Sequence, residues 1–281
     1  MTRAGGGDKF DRRIERASQL AAAYAYAGEG LRFYERLAGF QKSLYAGLQE
    51  ASGKAKAARP PGSLRDELDL GYLLPWFGSF LALVAEIAPE PLARVAAELA
   101  GAGGGGTAGP DLLAEFWRAD PETGSTLPPR EALIAWGFLQ GYAEYLADHT
   151  EQPAVESLGG STPYLCPACC GRPLVGVLRP LGDGGKRSLI CSLCATEWEF
   201  RRIVCPACGE ESVDKLPVYV AEEIPHIRVE ACDTCRYFIK TVDLTRDGRA
   251  VPVVDELAAI PLSLWAAERQ YLKLAPNLLG L

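Results

Sequence analysis

Apolar positions recur three or four residues apart, or at multiples of a turn, through residues 10–58, at Ile14, Leu20, Leu31, Tyr34, Leu37, Leu44 and Leu48. The stretch is rich in Ala, Leu, Glu, Arg and Lys, and that period in strong helix formers predicts two helices, broken near Gly28-Glu29-Gly30. Pro60-Pro61-Gly62 ends the run, and Ser63 with Asp66 three residues on has the form of a capping box opening another helix. The helical period returns over residues 72–87, 89–100, 111–118 and 130–148, the last with Leu133, Trp136, Leu139, Gln140 and Ala143 on neighbouring turns. Four consecutive glycines within residues 101–109 mark a surface loop, since neither helix nor strand bears that entropic cost.

A linker rich in Pro, Ser and Gly follows over residues 152–162, and beyond it the period becomes strand-like. Short β-branched or aromatic runs at 173–179, 188–191, 197–203, 216–220, 227–230 and 238–243 are bounded by turn residues and predict strands. The chain closes with an amphipathic helix over 255–273, interrupted at Pro261, and the apolar tail Leu278-Leu279-Gly280-Leu281. The fold class expected is α+β and multidomain. An all-α domain (1–155) precedes two tandem four-cysteine β modules of zinc-ribbon or rubredoxin-like form (156–200 and 201–250), and a C-terminal helix and tail (251–281) follow.

Composition sharpens this picture at three points. The 281 residues are 48% hydrophobic and 23% charged, ordinary for a globular chain. The net charge is -7, with 15 basic and 21 acidic residues up to position 159 and 14 and 15 after it, so neither half carries the basic excess of a nucleic-acid or membrane coat. An export leader needs a basic start followed by roughly 7–15 apolar residues, whereas Arg12-Arg13 leads into the polar Ile14-Glu15-Arg16-Ala17-Ser18 and reads as helix surface. The most apolar stretch, residues 70–85, falls short of the roughly 18 that span a bilayer and contains Gly71, Pro75 and Gly78. It reads as buried core, with no membrane insertion.

All nine cysteines lie between Cys166 and Cys235. A reducing cytoplasm is the expected location, and there closely spaced cysteines bind metal more often than they form disulfides. Eight form four C-x-x-C pairs, Cys166/Cys169, Cys191/Cys194, Cys205/Cys208 and Cys232/Cys235. A two-residue gap lets a tight turn aim both sulfurs at one tetrahedral ion, so two pairs make a site and four make two. First cysteines of paired knuckles stand 25 and 27 residues apart, while Cys205 follows Cys194 by 11, which marks a tandem duplication and favours sequential over interleaved pairing. Cys205-Pro206-Ala207-Cys208-Gly209 has the knuckle form with glycine after the second cysteine; in the first knuckle Cys170 takes that slot and is expected as an adjacent free thiol. Spacing does not separate zinc from iron. Four thiolates leave no open coordination position, which argues against hydrolytic metal catalysis. His149 and His226, the two histidines, read as surface residues, and no nucleophile elbow, P-loop or dinucleotide fingerprint occurs in a fitting context. No catalytic residue is expected.

The runs Tyr164-Leu165-Cys166-Pro167-Ala168-Cys169, Cys191-Ser192-Leu193-Cys194-Ala195-Thr196-Glu197-Trp198, Val204-Cys205-Pro206-Ala207-Cys208 and Glu230-Ala231-Cys232-Asp233-Thr234-Cys235, with Tyr237, Lys240 and the start Asp255-Glu256-Leu257-Ala258 of the last helix, closely resemble the formate dehydrogenase accessory protein family, FdhE. The resemblance covers residues 164 to the C-terminus. It implies a cytoplasmic, non-enzymatic assembly factor. Such a factor binds the catalytic subunit of an exported molybdenum- or tungsten-dependent formate dehydrogenase and is required for its activity. It also implies rubredoxin-like iron at the two four-cysteine sites, with zinc able to substitute. Trp198, Asp233, Tyr237, Asp255 and Glu256, beside the metal repeats, are candidate partner contacts. The apolar helical face and tail make the chain a candidate for self-association. Two other readings stand beside this one: nucleic-acid binding through tandem ribbons, and a rubredoxin-like redox protein.

Overall fold

The computed structural model describes residues 6–52, 57–58, 63–101, 108–120, 124–151, 164–181 and 184–280. The expected 152–162 linker, Pro60-Pro61-Gly62 and most of the glycine tract lie outside these residues. Among the described residues, six helices form the N-terminal region: α1 (Gly6–Ala23), α2 (Gly28–Ser52), α3 (Leu70–Ile87), α4 (Glu90–Gly101), α5 (Ala108–Arg118) and α6 (Pro129–Asp148). α6 is the central one, buried on nearly every side.

The break between α1 and α2 falls at Tyr24 and a 3-10 turn, Ala25–Ala27, rather than at the glycines. Gly28 is right-handed and opens α2, and a Cβ on Gly30 would come within 2.9 Å of the Leu279 side chain. Glycine is there for close packing of the C-terminal tail, not for breaking the helix. The tail therefore packs inside the molecule, with Leu278 in the core beside Leu37 and Phe80. Ser63–Asp66 forms only a 3-10 turn, and α3 is capped instead by Asp69, whose carboxylate accepts from the Tyr72 N–H at 3.0 Å. α3 is the described helix long and apolar enough to cross a membrane by length and composition, but it buries one face, Leu73, Phe77, Phe80, Leu81 and Val84, against the bundle.

Two-residue strands β1 (Ala57–Ala58) and β2 (Thr150–Glu151) pair in parallel. The main sheet comprises β3 (Pro173–Leu181), β4 (Gly184–Cys191), β5 (Glu197–Glu199), β6 (Val218–Val220), β7 (Ile227–Ala231) and β8 (Tyr237–Asp243), in the order β5-β4-β3-β8-β7-β6. Each four-cysteine repeat contributes one antiparallel meander. The two are fused where β3 pairs in parallel with β8, Val175 opposite Lys240 through Leu178 opposite Asp243. At this seam Gly176 is required, because a Cβ would sit 2.3 Å from the Thr241 hydroxyl. The C-terminal helix is two pieces, α7 (Pro252–Ala258) and α8 (Ile260–Glu268), separated at Ala259. Pro261 falls in the first turn of α8, where its missing N–H costs nothing. A short strand β9 (Leu272–Lys273) then joins β8 in parallel.

One apolar core runs from the helices through the first cysteine cluster to α7 and Leu278; a second lies between the sheet, with Val175, Val229 and Phe238, and α8, with Leu262 and Ala266. Buried ion pairs tie the regions together. Arg16 of α1 donates to Asp255 at 3.0 Å and to Asp247 at 3.1 Å. Asp255 also accepts from the Val251 N–H, and His226 Nε2 lies 3.0 Å from it. Lys240 lies 2.8 Å from Glu256, which also meets Lys273 and Asn277. Arg13 pairs with Glu144 of α6 at 2.6 Å.

These contacts correct several expectations. Asp255 and Glu256 are completely buried, occupied by Arg16, Lys240 and Lys273, and present nothing to a partner. Trp198 is core, opposite Leu189 on β4. His226 is buried on Asp255 rather than at the surface, and Arg13 turns inward while Arg12 stays exposed. His149 is half-buried and stacks on Tyr145, ring centroids 4.2 Å apart.

Burial penalises the Glu256 carboxylate, but the fields of Lys240 and Lys273 outweigh that and hold it below the ordinary carboxylate range. Its contribution to stability is present above about pH 4.5 and is lost as pH falls further through its folded value. Burial pushes Lys240 the other way, down to about 8 despite Glu256. Glu256→Gln removes the counter-ion of the fully buried Lys240 ammonium and is expected to cost about 3–5 kcal/mol. Urea titrations at pH 5 and pH 3 check this: the variant, with no carboxylate to protonate at this position, should lose less stability over that interval than the parent.

Candidate metal centres

The four knuckles share one turn. In each, the first cysteine's N–H donates to the carbonyl five residues on: Cys166 to Gly171 (2.9 Å), Cys191 to Thr196 (3.0 Å), Cys205 to Glu210 (2.9 Å) and Cys232 to Tyr237 (3.0 Å). In three of them a return bond closes the loop, from Cys170, Gly209 and Arg236 to the carbonyls of Cys166, Cys205 and Cys232. The residue after the second cysteine is left-handed throughout, with φ of 57° at Cys170, 52° at Ala195, 77° at Gly209 and 63° at Arg236. The turn thus demands positive φ at every knuckle, although glycine meets it at one only. Backbone N–H groups inside the turns aim at sulfur, Gly171 at Cys169, Leu193 at Cys191 and Ala207 at Cys205, each at 3.4 Å.

The fold brings the knuckles together in sequential pairs, Cys166, Cys169, Cys191 and Cys194 in one cluster and Cys205, Cys208, Cys232 and Cys235 in the other. Across the first, Cys166 and Cys194 sulfurs are 3.5 Å apart and Cys169 and Cys191 3.4 Å; across the second, Cys205 to Cys235 and Cys208 to Cys232 are both 3.7 Å. Four thiolates about 2.3 Å from one tetrahedral ion stand roughly 3.8 Å from each other, so the donor set fits a four-thiolate ion at either place. None of the nine cysteines is in a disulfide, and Cys170 is exposed, outside both clusters.

The two clusters differ in setting. All four sulfur-bearing residues of the first are buried between the helices and the sheet. The helical region grips its backbone: Leu64 N–H donates to the Ala168 carbonyl, Arg65 to the Cys169 carbonyl at 3.0 Å, and Trp136 and Gln140 of α6 to the Ser192 carbonyl at 3.1 and 2.7 Å. A polar cleft of about 570 Å³ beside it is lined by residues already paired across it, Lys9 and Arg13 with Glu144. The second cluster lies at the far end of the sheet, with Cys208 exposed and Cys235 half-buried. Its knuckles are linked by Glu210, which accepts from Thr234 Oγ1 at 2.7 Å. Of the contact candidates, Asp233 is exposed and bonded to Arg236 and the Tyr271 hydroxyl, and Tyr237 is half-buried beside the second cluster.

Family models described as "FdhE, central domain" and "FdhE, C-terminal domain" match residues 165–202 and 203–279, meeting between the two meanders. Residues 165–279 carry the central and C-terminal domains of the FdhE family. A protein FdhE homolog of Aquifex aeolicus is 36% identical over 116 residues, 41% of either chain, and one of Pseudomonas aeruginosa 38% identical over 123 residues, 41% of this chain and 39% of that one. These matches span about two fifths of the relatives' length. Protein FdhE of Escherichia coli K12 is 28% identical over 284 residues, covering 95% of this chain and 86% of its own. The crystal structure of the FdhE protein from Pseudomonas aeruginosa superposes with a TM-score of 0.68 at 27% identity, covering 98% of this chain and 96% of that one. The helical half, which carries no short motif, is thus shared with the family in fold.

Three outcomes follow from the geometry. A chelator added to the metal-loaded chain should release two equivalents in two phases, the Cys208 cluster first, as followed by a metallochromic dye and by loss of protection at Cys208 before Cys169. Relieving left-handed strain by Ala195→Gly should stabilise the chain by up to about 1 kcal/mol. Gly209→Ala, whose Cβ would meet the Tyr164 hydroxyl at 2.8 Å, should destabilise by about 1–2 kcal/mol in thermal melts.

Proposed function

We propose that this chain is a cytoplasmic, non-enzymatic accessory factor that binds the catalytic subunit of a respiratory, exported formate dehydrogenase and is required for its activity. The match of residues 165–279 to the FdhE family, with the likeness of the whole fold to an FdhE structure, supports the reading. Cys166, Cys169, Cys191 and Cys194 would hold one metal ion, and Cys205, Cys208, Cys232 and Cys235 a second. Each ion would have a complete thiolate shell, so its service is to lock a β domain rather than to activate water. Iron is the ion the family resemblance favours, with zinc able to take its place. Both histidines are engaged by the fold, His226 on Asp255 and His149 on the Tyr145 carbonyl. Of the five contact candidates, Asp233 and Tyr237 retain exposed surface, and we offer these two as partner contacts.

Deletion of the gene in its own host should abolish formate dehydrogenase activity while the catalytic subunit is still synthesised, as judged by immunoblot. The tagged chain should co-purify with that subunit and with two metal ions per chain. Normal activity in a deletion strain holding no second copy would overturn the proposal.

A further inference from the structure

The two ends of the main sheet are built differently. At the β5 end, Glu197 and Glu199 are tied to Arg179 and Lys186, and such charges discourage another strand from pairing. β6, at the other end, is Val218-Tyr219-Val220, with both valines exposed. The register places Val218 opposite Glu230 and Val220 opposite Arg228, while the Pro217 carbonyl accepts from the Ala231 N–H. By the alternation of an antiparallel ladder, Tyr219 exchanges bonds with Val229, and the N–H and C=O of Val218 and Val220 point away from the sheet. Those four groups meet no partner among the described residues.

A cavity of about 180 Å³ opens on the face that Val218 shares with Glu230. Ile203, Val213 and Val218 on its wall are all exposed, a concentration of surface aliphatic groups that marks an interaction site. Three arginines, Arg187, Arg202 and Arg228, line it with one carboxylate, Glu230, in a chain whose net charge is -7. Glu230 is taken by Arg187 and Arg228, both at hydrogen-bond distance, so Arg202 has no acidic partner among the described residues. Arg187 is itself buried, and its Nε has no hydrogen-bond partner.

We propose that the open edge of β6 and this cavity form a docking site for an extended segment of a partner polypeptide. The segment adds a strand to β6, seats an aliphatic side chain in the cavity and sets an acidic residue against Arg202. The volume is below the roughly 300 Å³ at which small-molecule sites begin and suits one or two side chains. A second copy of this chain, paired edge to edge, would bring the same arginines face to face, which charge repulsion opposes. The inference rests on the binding role proposed above only in taking the partner to be a polypeptide.

Selection of a random heptapeptide phage library on the metal-loaded full chain tests it. Enriched peptides should alternate aliphatic with Asp or Glu and weaken at least tenfold on Val220→Pro and on Arg202→Glu, with metal content and circular dichroism unchanged. Should Val220→Pro disturb the fold, N-methylation of the selected peptide at alternate residues reports on strand pairing instead, with binding lost in one register only. No enrichment, enrichment of basic peptides, or binders indifferent to both substitutions and to methylation would overturn the proposal. So would a dimer that becomes a monomer on Arg202→Glu, which assigns the edge to a second copy. If peptides bind as described but the formate dehydrogenase subunit does not co-purify, the client assignment fails and the docking site stands. If the subunit binds both substituted chains as it binds the parent, the site fails and the client assignment stands.

Discussion

Four sulfurs held within one shell constrain every segment that supplies them, and the first cysteine cluster supplies that constraint at the place where helices and sheet meet. Its knuckles are fixed from within by the bond from each first cysteine to the carbonyl five residues on. They are fixed from outside by Arg65, Trp136 and Gln140 on knuckle carbonyls. The same core that buries Phe77, Phe138 and Leu139 continues to Cys169, Cys191 and Trp198. Metal lost here would loosen the helical bundle as well as the meander, whereas the second cluster, with Cys208 at the surface, closes only its own end of the sheet.

Charge does at the interior what a bound metal would do at the knuckles. Arg16 reaches Asp255 across 239 residues of sequence, Arg13 reaches Glu144, and Glu256 gathers Lys240, Lys273 and Asn277. Each of these groups offsets its desolvation with a partner from a different element, so the pairs are worth little as net stability and much as a specification of which elements meet. The α7 start therefore serves as an internal fastener between α1, β8 and the C-terminal tail. A chain built this way leaves its exposed chemistry at the far end, where the second cluster, Asp233, Tyr237 and the β6 edge lie near one another.

The local rules were legible in the chain itself. Four C-x-x-C pairs with repeating intervals announced two four-sulfur sites, and their sequential grouping follows from the pair-hairpin-pair form of each repeat. The helical period placed the six helices, and the strand runs placed the meanders with shifted ends, residues 188–191 growing to Gly184–Cys191 while 197–203 shrinks to Glu197–Glu199 and 216–220 to Val218–Val220. The left-handed residue after each second cysteine was readable only at Gly209. At Cys170, Ala195 and Arg236 the backbone adopts the same turn without glycine to announce it.

What the sequence could determine by itself was whatever depends on neighbours within a few residues: element type, knuckle chemistry, the composition switch after the helices. Tertiary structure alone decided the fusion of the two meanders through β3 and β8, the inward turn of Arg13, and the burial of His226, Asp255 and Glu256. It also decided that Gly30 admits Leu279 instead of breaking a helix. The physical reason is common to all of these. An acidic residue at a helix start or a glycine between apolar runs has the same local signature whether it meets water or a distant partner, and only the packing of elements far apart in sequence tells the two cases apart.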